Sequence, residues 1–140
     1  MTTFKKWEDM NKFIIKETGC KPFSGAGINI RINEKTAILR SVDHTYYYDD
    51  DLNDIDKVEY TLFGHKGDQD EKEKRFNEPF LNPKKVKNIY LYRVKREKDD
   101  IKNQEYIWYG KYEIVKKYKK MHIDKDNKLR KIIMISLRKI

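Results

Sequence analysis

The sequence contains one cysteine among its 140 residues, so it cannot form a disulfide bond within itself. It also lacks the long apolar run that a signal peptide or a membrane-spanning helix requires. Both absences predict an intracellular protein of a reducing compartment, such as the cytoplasm, the nucleus or a virion, with no membrane partner. Cys20 itself is expected to be a buried thiol without a chemical role.

Histidine is also scarce, and the three histidines, His44, His65 and His122, lie in unrelated contexts. With a single cysteine they cannot form the paired short spacings of a zinc site. Residues 124–127 begin like a calcium loop but are not followed by its glycine and closing glutamate. Nuclease, nucleophile-elbow and phosphate-loop motifs are absent as well. We therefore expect no metal, no cofactor and no catalytic residues, with an enzyme of unrecognised chemistry as an alternative.

Charge, in contrast, is abundant and unevenly distributed. The chain has a formal net charge of +9, but residues 1–70 hold 10 basic and 13 acidic side chains, whereas residues 71–140 hold 22 and 10. A basic half creates a positive potential that attracts polyanions and releases their counterions. A nucleic acid is therefore one expected partner. The alternative is a lysine-rich solvated surface, typical of AT-rich genomes such as some viral ones, since lysine outnumbers arginine 25 to 7.

Apolar periodicity predicts an α+β domain spanning residues 1–140. Apolar residues three and four apart indicate a helix over residues 3–18 that ends at Gly19. That apolar stripe consists of Phe4, Trp7, Met10 and Ile14. A second, short helix is expected around residues 76–81, where Pro83 would end it.

Strand patterns account for most of the remaining chain. Alternating residues 28–32 and 36–42 predict a β-hairpin, and a third strand is expected to begin near Tyr46. Further strands are expected over the ranges 58–63, 88–95 and 130–139, and residues 105–115 are read as two short strands that pivot near Gly110. Strands at this spacing with two helices favour a small, partly closed β-barrel with the helices packed outside.

Five short motifs occur in an order that resembles the SRA/YDG-type domains of the PUA-like superfamily. They are YYYDDD at 46–51, YTLFGHKGDQ at 60–69, Asn77 before Leu81, NIYLYRV at 88–94 and YIWYGKYEIV at 106–115, followed by a closing strand after an arginine. Leu62 departs from the pattern, because the family often has a glycine there. The resemblance implies an SRA-like barrel that binds duplex DNA and flips one base, often a modified one, into a pocket.

Such a pocket needs an aromatic face to replace lost stacking and a hydrogen-bonding group to replace the lost base pair. The tyrosine and aspartate run at residues 46–51 offers both, and in an alternating strand Tyr46 and Tyr48 would share one face. The predicted pocket residues are Tyr46, Tyr48, Asp49 and Tyr60. The alternative is that the tyrosines belong to the core and the aspartates to a solvated turn.

Two further groups of residues are predicted to contact DNA. The first is a glycine-flexed loop next to the pocket, formed by Gly64, His65, Lys66, Gly67, Asp68 and Gln69. The second is the densest basic stretch, which should bind backbone phosphates and comprises Lys111, Lys116, Lys117, Lys119, Lys120, Lys125, Lys128, Arg130 and Lys131. The alternatives are an ordinary turn and a solvated surface.

The sequence thus favours a non-catalytic DNA-binding reader. One alternative is a nucleic-acid binding or packaging protein that is indifferent to sequence, which would keep the barrel but not the pocket. Another is a protein-interaction module whose basic face meets an acidic partner.

Overall fold

The structure is a computed structural model that describes residues 1–22, 27–98, 100 and 102–140. Seven strands form one sheet: β1 (Thr2–Phe4), β2 (Ile28–Arg31), β3 (Thr36–Val42), β4 (Lys57–Thr61), β5 (Asn88–Lys95), β6 (Glu105–Ile123) and β7 (Leu129–Lys139). Their order is β2-β3-β5-β6-β7-β4, with β1 paired to β6. The β3 and β5 strands are parallel, and every other pair is antiparallel.

Strand pairing leaves this sheet open. Its end strands, β2 and β4, are not hydrogen-bonded to each other as strands in the part of the chain described above. The predicted mostly β architecture with two helices is confirmed, but the predicted partial closure into a barrel is not shown by the strand pairing.

The helices are α1 (Trp7–Thr18) and α2 (Asn77–Leu81). As predicted, α1 ends at Gly19, whose left-handed backbone (φ 74°) lets its amide bond the carbonyl of Ile15 at 2.8 Å. The helix begins later than residue 3 because residues 2–4 pair with β6 as a strand. Neither helix is long and apolar enough to cross a membrane, a statement that covers the described residues only.

Alternation along β3 divides the interior into two cores. Ile38 points to the α1 side, where it joins Met10, Ile14, Tyr92 and Val94. The neighbouring residues Ala37 and Leu39 point to the opposite side. There they join a larger cluster that includes Tyr60, Leu62, Phe80, Ile133 and Ile135. The two sides of the sheet are therefore packed independently.

Two strand predictions are wrong. Residues 105–115 do not form two short strands but belong to the 19-residue β6, which continues through a register shift opposite Leu91 and Tyr92. Gly110 takes a positive φ of 101° there, so the chain bends while its pairing persists. No strand begins at Tyr46 either, because residues 43–50 are irregular and β4 starts at Lys57.

Candidate functional site

A cavity of about 430 Å³ opens between β4 and the opposite end of the sheet, β2 and β3. The irregular segment at residues 45–50 and the segment that follows β4 cover it. Its walls are largely aromatic and include Tyr47, Tyr48, Tyr60, Phe63 and Phe76. Polar groups on its walls include Arg40, Asp50, Thr61, His65 and Arg75. Mostly apolar walls with a few convergent polar groups are typical of ligand sites, and the volume falls in their range of ~300–1,000 Å³.

Tyr60 connects the two ends of the open sheet at this cavity. Its buried hydroxyl donates to the carbonyl oxygens of Gly27, just before β2, and Arg40 of β3, at 3.0 and 3.1 Å. Burial raises the pKa of Tyr60 well above its ordinary value, so the hydroxyl remains a donor. The predicted pocket residue Tyr60 thus lines the cavity and also joins β4 to β3 through a side chain.

Asp50 is the carboxylate of the cavity. One of its oxygens accepts a hydrogen bond from the Ser41 hydroxyl and the other from the Thr61 amide, both at 2.7 Å. Burial raises the pKa of Asp50 to about 6, against the lowering effect of those hydrogen bonds. The carboxylate is therefore oriented by two donors and ionised at neutral pH. Each oxygen retains acceptor capacity for a ligand.

The irregular path of residues 45–50 changes which members of the tyrosine and aspartate run reach the cavity. Tyr47, Tyr48 and Asp50 line it, whereas Tyr46 and Asp49 line a neighbouring polar groove. Tyr46 is 62% exposed, and the Asp49 carboxylate forms an ion pair with Lys120. The structure thus brings Tyr48 and Tyr60 together, and it places Tyr46 and Asp49 outside this cavity. The prediction chose Tyr46 over Tyr47 because it assumed that this segment is a strand with alternating faces. The segment is not a strand, so that alternation does not apply.

His65 is the member of the predicted DNA-contacting loop that lines the cavity. Its ring centroid lies 5.5 Å from that of Tyr47, 5.2 Å from that of Tyr48 and 5.8 Å from that of Phe63. Burial, with smaller effects of Lys125 and Arg130, lowers the pKa of His65, which favours a neutral imidazole at neutral pH. Its neighbour Lys66 is exposed and pairs with Asp126 at 3.3 Å.

The other polar members of that loop bind the protein itself. The Gln69 side-chain amide donates to the Leu62 and Gly64 carbonyls at 2.7 and 3.1 Å, and its oxygen accepts from the Ile133 amide at 2.8 Å. The Asp68 carboxylate accepts from the Lys131 amide at 2.8 Å. Both side chains therefore hold the loop against β7.

Backbone conformation explains the glycines of this loop. Gly64 and Gly67 have φ of 133° and 69°, a region that residues with a side chain rarely adopt. The fully buried Asn77 of α2 supports the segment just before the loop, since its amide group bonds both the amide and the carbonyl of Phe63, at 2.8 and 3.0 Å.

Arg130 requires a correction among the predicted phosphate-binding residues. It is only 1% exposed, and its guanidinium donates to the carbonyls of Gly64, at 2.6 Å, and Tyr47. A third bond reaches the Gly67 carbonyl at 3.3 Å. Arg130 therefore joins the two segments that cover the cavity and does not face solvent, where a phosphate would bind.

The lysines predicted to bind phosphate differ in their surroundings. Lys111 is half-buried, Lys117 pairs with Glu71 at 2.8 Å, and Lys120 pairs with Asp49. The exposed members without a described ion pair are Lys116, Lys119, Lys125, Lys128 and Lys131. The charge of Lys119 nevertheless contributes to lowering the pKa of Glu71, after the larger effect of Lys117. Three of these five lysines, Lys125, Lys128 and Lys131, lie in the turn of the β6–β7 hairpin or two residue pairs from its end, and Lys119 lies four pairs from its end. Within the described residues, no group of three or more histidine, cysteine or acidic side chains could hold a metal ion.

The sequence matches no known family model and no curated protein. Solved structures do match. The sulfur binding domain and SRA domain of ScoMcrA, complexed with phosphorothioated DNA, match 99% of this chain with a TM-score of 0.62 and 18% identity. KRYPTONITE in complex with mCHG DNA and SAH matches 82% of it, with a TM-score of 0.57 and 17% identity. The MspJI restriction endonuclease in complex with a 27-mer oligonucleotide matches 85% of it, with a TM-score of 0.59 and 16% identity.

All three solved chains are longer than this one, which spans 39%, 27% and 34% of their respective lengths. These matches show that the chain has the fold of SRA domains.

Proposed function

We propose that this domain binds duplex DNA and holds one base, rotated out of the helix, in the cavity described above. The observation that carries the proposal is the position of Asp50, an oriented carboxylate on the wall of a largely aromatic cavity. Solved structures of the same fold support it, because those of ScoMcrA and KRYPTONITE are complexes with phosphorothioated and mCHG DNA, respectively.

The residues of the cavity suit an extruded base. A base that leaves the duplex loses stacking and pairing, and both must be replaced. The rings of Tyr47 and Tyr48 provide aromatic faces, worth ~1–3 kcal/mol per stacked base. An ionised Asp50 accepts hydrogen bonds only, so it favours a base that presents an amino group, such as cytosine or one of its modified forms.

The loop at residues 64–67 lies at the cavity and carries the neutral His65 and the exposed Lys66. We propose that it contacts the DNA from which the base has left, while exposed lysines neutralise backbone phosphates. The role is one of binding without a reaction or a cofactor.

Asp50 and Asp49 offer a matched pair of variants for the test. Asp50→Asn and Asp49→Asn remove the same charge from adjacent residues, but only Asp50 lines the cavity. The measurement is a fluorescence titration against duplexes with one cytosine, one methylated or hydroxymethylated cytosine, or one mispaired cytosine. We expect the unchanged protein to favour one of these by tenfold or more, Asp49→Asn to retain this preference and Asp50→Asn to lose it.

Other outcomes would identify the alternatives. Equal affinity of the unchanged protein for every duplex, with a steep loss of affinity in salt, would mean binding that is indifferent to the base. No binding to DNA or RNA at moderate salt would leave the protein-interaction module as the better explanation.

A further inference from the structure

The end of the β6–β7 hairpin exposes three apolar side chains on one face. Ile123 pairs directly with Leu129, and Met121, two residues back along β6, pairs with Lys131. Directly paired residues in an antiparallel sheet share a face, and so do residues two apart in a strand. Met121, Ile123 and Leu129 are therefore neighbours, and they are 50%, 43% and 66% exposed.

Lysines surround these apolar side chains. Lys131 lies opposite Met121, and Lys119 lies two residues before it on the same face. Lys125 and Lys128 follow in the turn between the strands, and all four lysines are exposed. We call Met121, Ile123 and Leu129 with these four lysines the hairpin surface. Its acidic neighbours at the turn are Asp124, which is buried, and Asp126, which pairs with Lys66.

The hairpin surface is held in place beside the cavity. The Asp124 carboxylate accepts hydrogen bonds from the amides of Gly67, Asp126 and Lys128, at 3.0, 2.9 and 3.0 Å. The Lys125 amide also donates to the carbonyl of His65 at 3.1 Å, and His65 lines the cavity. The apolar side chains are thus presented on a fixed turn, joined directly to the loop at the cavity.

We infer that the hairpin surface is a second DNA contact, which binds the duplex next to the base held in the cavity. This inference rests on the proposed function. A two-stranded ribbon fits the major groove, where apolar side chains contact thymine methyl groups and lysines contact the flanking phosphates. The four lysines favour DNA over a second copy of the chain as the partner of this surface. A second copy of the chain, placed face to face on the same surface, would bring its four lysines against these four.

The first test compares Leu129→Ser with Ile32→Ser. Ile32 is a matched control, since it is 58% exposed and lies in the β2–β3 turn, away from the hairpin. We expect Leu129→Ser to lower the affinity for an unmodified duplex about five- to tenfold and Ile32→Ser to leave it unchanged. Because both side chains are mainly exposed, neither change should unfold the protein, and a thermal melt checks this. Equal affinities of the two variants would contradict the inference.

The second test uses the salt dependence of binding. Each phosphate contact contributes a slope of roughly −0.9 in a plot of log affinity against log salt concentration for duplex DNA. Lys119→Gln and Lys131→Gln should each reduce the steepness by about that amount, whereas Lys102→Gln, at an exposed position remote in sequence from the hairpin, should not.

The third test distinguishes this inference from the proposed function. A photo-crosslinking residue at position 129 should label duplex DNA. Crosslinks between two protein chains, or no crosslink to DNA, would overturn the inference even where the unchanged protein prefers a modified base. Crosslinking to DNA by a protein that shows no base preference would sustain the hairpin contact and contradict the base-holding cavity.

Discussion

Both sides of the sheet have an apolar core, but the cavity side, which has the larger core, also has loop segments that polar side chains hold in place. On the helix side, α1 packs Met10 and Ile14 against Ile38 and Val94. On the cavity side, the segments that cover the cavity are held by polar side chains, among them Arg130, Gln69 and Asn77. Apolar burial stabilises a fold without directional contacts, whereas each buried polar group requires a hydrogen-bonding partner in a defined position. The helix side therefore contributes apolar packing, whereas the cavity side combines the larger apolar core with the polar contacts that shape the cavity.

The largest effect is expected on the cavity side, from Arg130→Met. This change removes the described side-chain donor to the carbonyls of Gly67 and Tyr47, and it leaves the Gly64 carbonyl with Gln69 alone. Hydrogen bonds to a charged group are worth about 1.5–3 kcal/mol each, so we expect a loss of roughly 3–5 kcal/mol in the free energy of unfolding, measured with urea. The exposed Lys128→Met should change it by less than about 0.5 kcal/mol. Similar values for both variants would contradict the role of Arg130.

On the helix side, Ile14→Ala should have a comparable effect on stability and none on base preference. Ile14 is fully buried, and large-to-small changes of this kind cost about 2–5 kcal/mol. The preference among duplexes should nevertheless remain, because α1 lies on the side away from the cavity. A base preference that disappears in protein shown to be folded would mean that the two sides are coupled.

Asp50→Asn should stabilise the protein. The pKa of Asp50 is raised from 3.8 to about 6 in the folded state, so ionisation costs stability as the pH rises through this interval, and the full cost is present above pH 6. Asparagine lacks this cost, and its amide can still accept from Thr61 and donate to Ser41. We expect a gain of roughly 1–3 kcal/mol at pH 7.5 that disappears near pH 4, measured by urea unfolding at both values. A loss of stability at pH 7.5 would contradict this account.

The smallest effect concerns the pH dependence of binding. The base preference should be constant from pH 7 to 8 and fall about fivefold, or about 1 kcal/mol, as the pH drops through 6. In that range Asp50 takes up a proton and loses acceptor capacity. Because Asp50→Asn should lack this preference, its control measurement is the affinity for the same duplex, which should not fall in this pH range. A fall that persists in this variant would point to another group, such as His65.

Local patterns predicted much of the fold. The apolar stripe of α1, its end at Gly19, the alternation of β2 and β3 and the short α2 are all present. Each depends on residues close in sequence, where periodicity is informative. The sequence analysis missed the continuity of β6 because Gly110 by itself indicates a turn. In the structure β5 pairs with β6 on both sides of Gly110, and β7 pairs with it from Tyr112 onward, so the strand continues through its bend.

The cavity was predictable in part. The motif order pointed to segments that line the cavity, and Tyr48, Tyr60 and His65 are among its lining residues. The choice of Asp50 over Asp49 requires the path of an irregular segment, in which hydrogen bonds from Ser41 and Thr61 orient the Asp50 carboxylate. No pattern in the run of three tyrosines and three aspartates could have supplied it.

By itself the sequence determined the strand and helix content, the basic character of the second half and the absence of recognisable catalytic motifs, since all three follow from residue type and local spacing. Tertiary structure alone decided which charges are available to a ligand. In the sequence Arg130 is indistinguishable from the other basic residues of its stretch. In the structure it is buried against the loop at residues 64–67, while Lys131 and Lys128, one and two residues away, are exposed. The physical reason is that burial depends on what folds over a residue, and for Arg130 that is a loop more than sixty positions earlier.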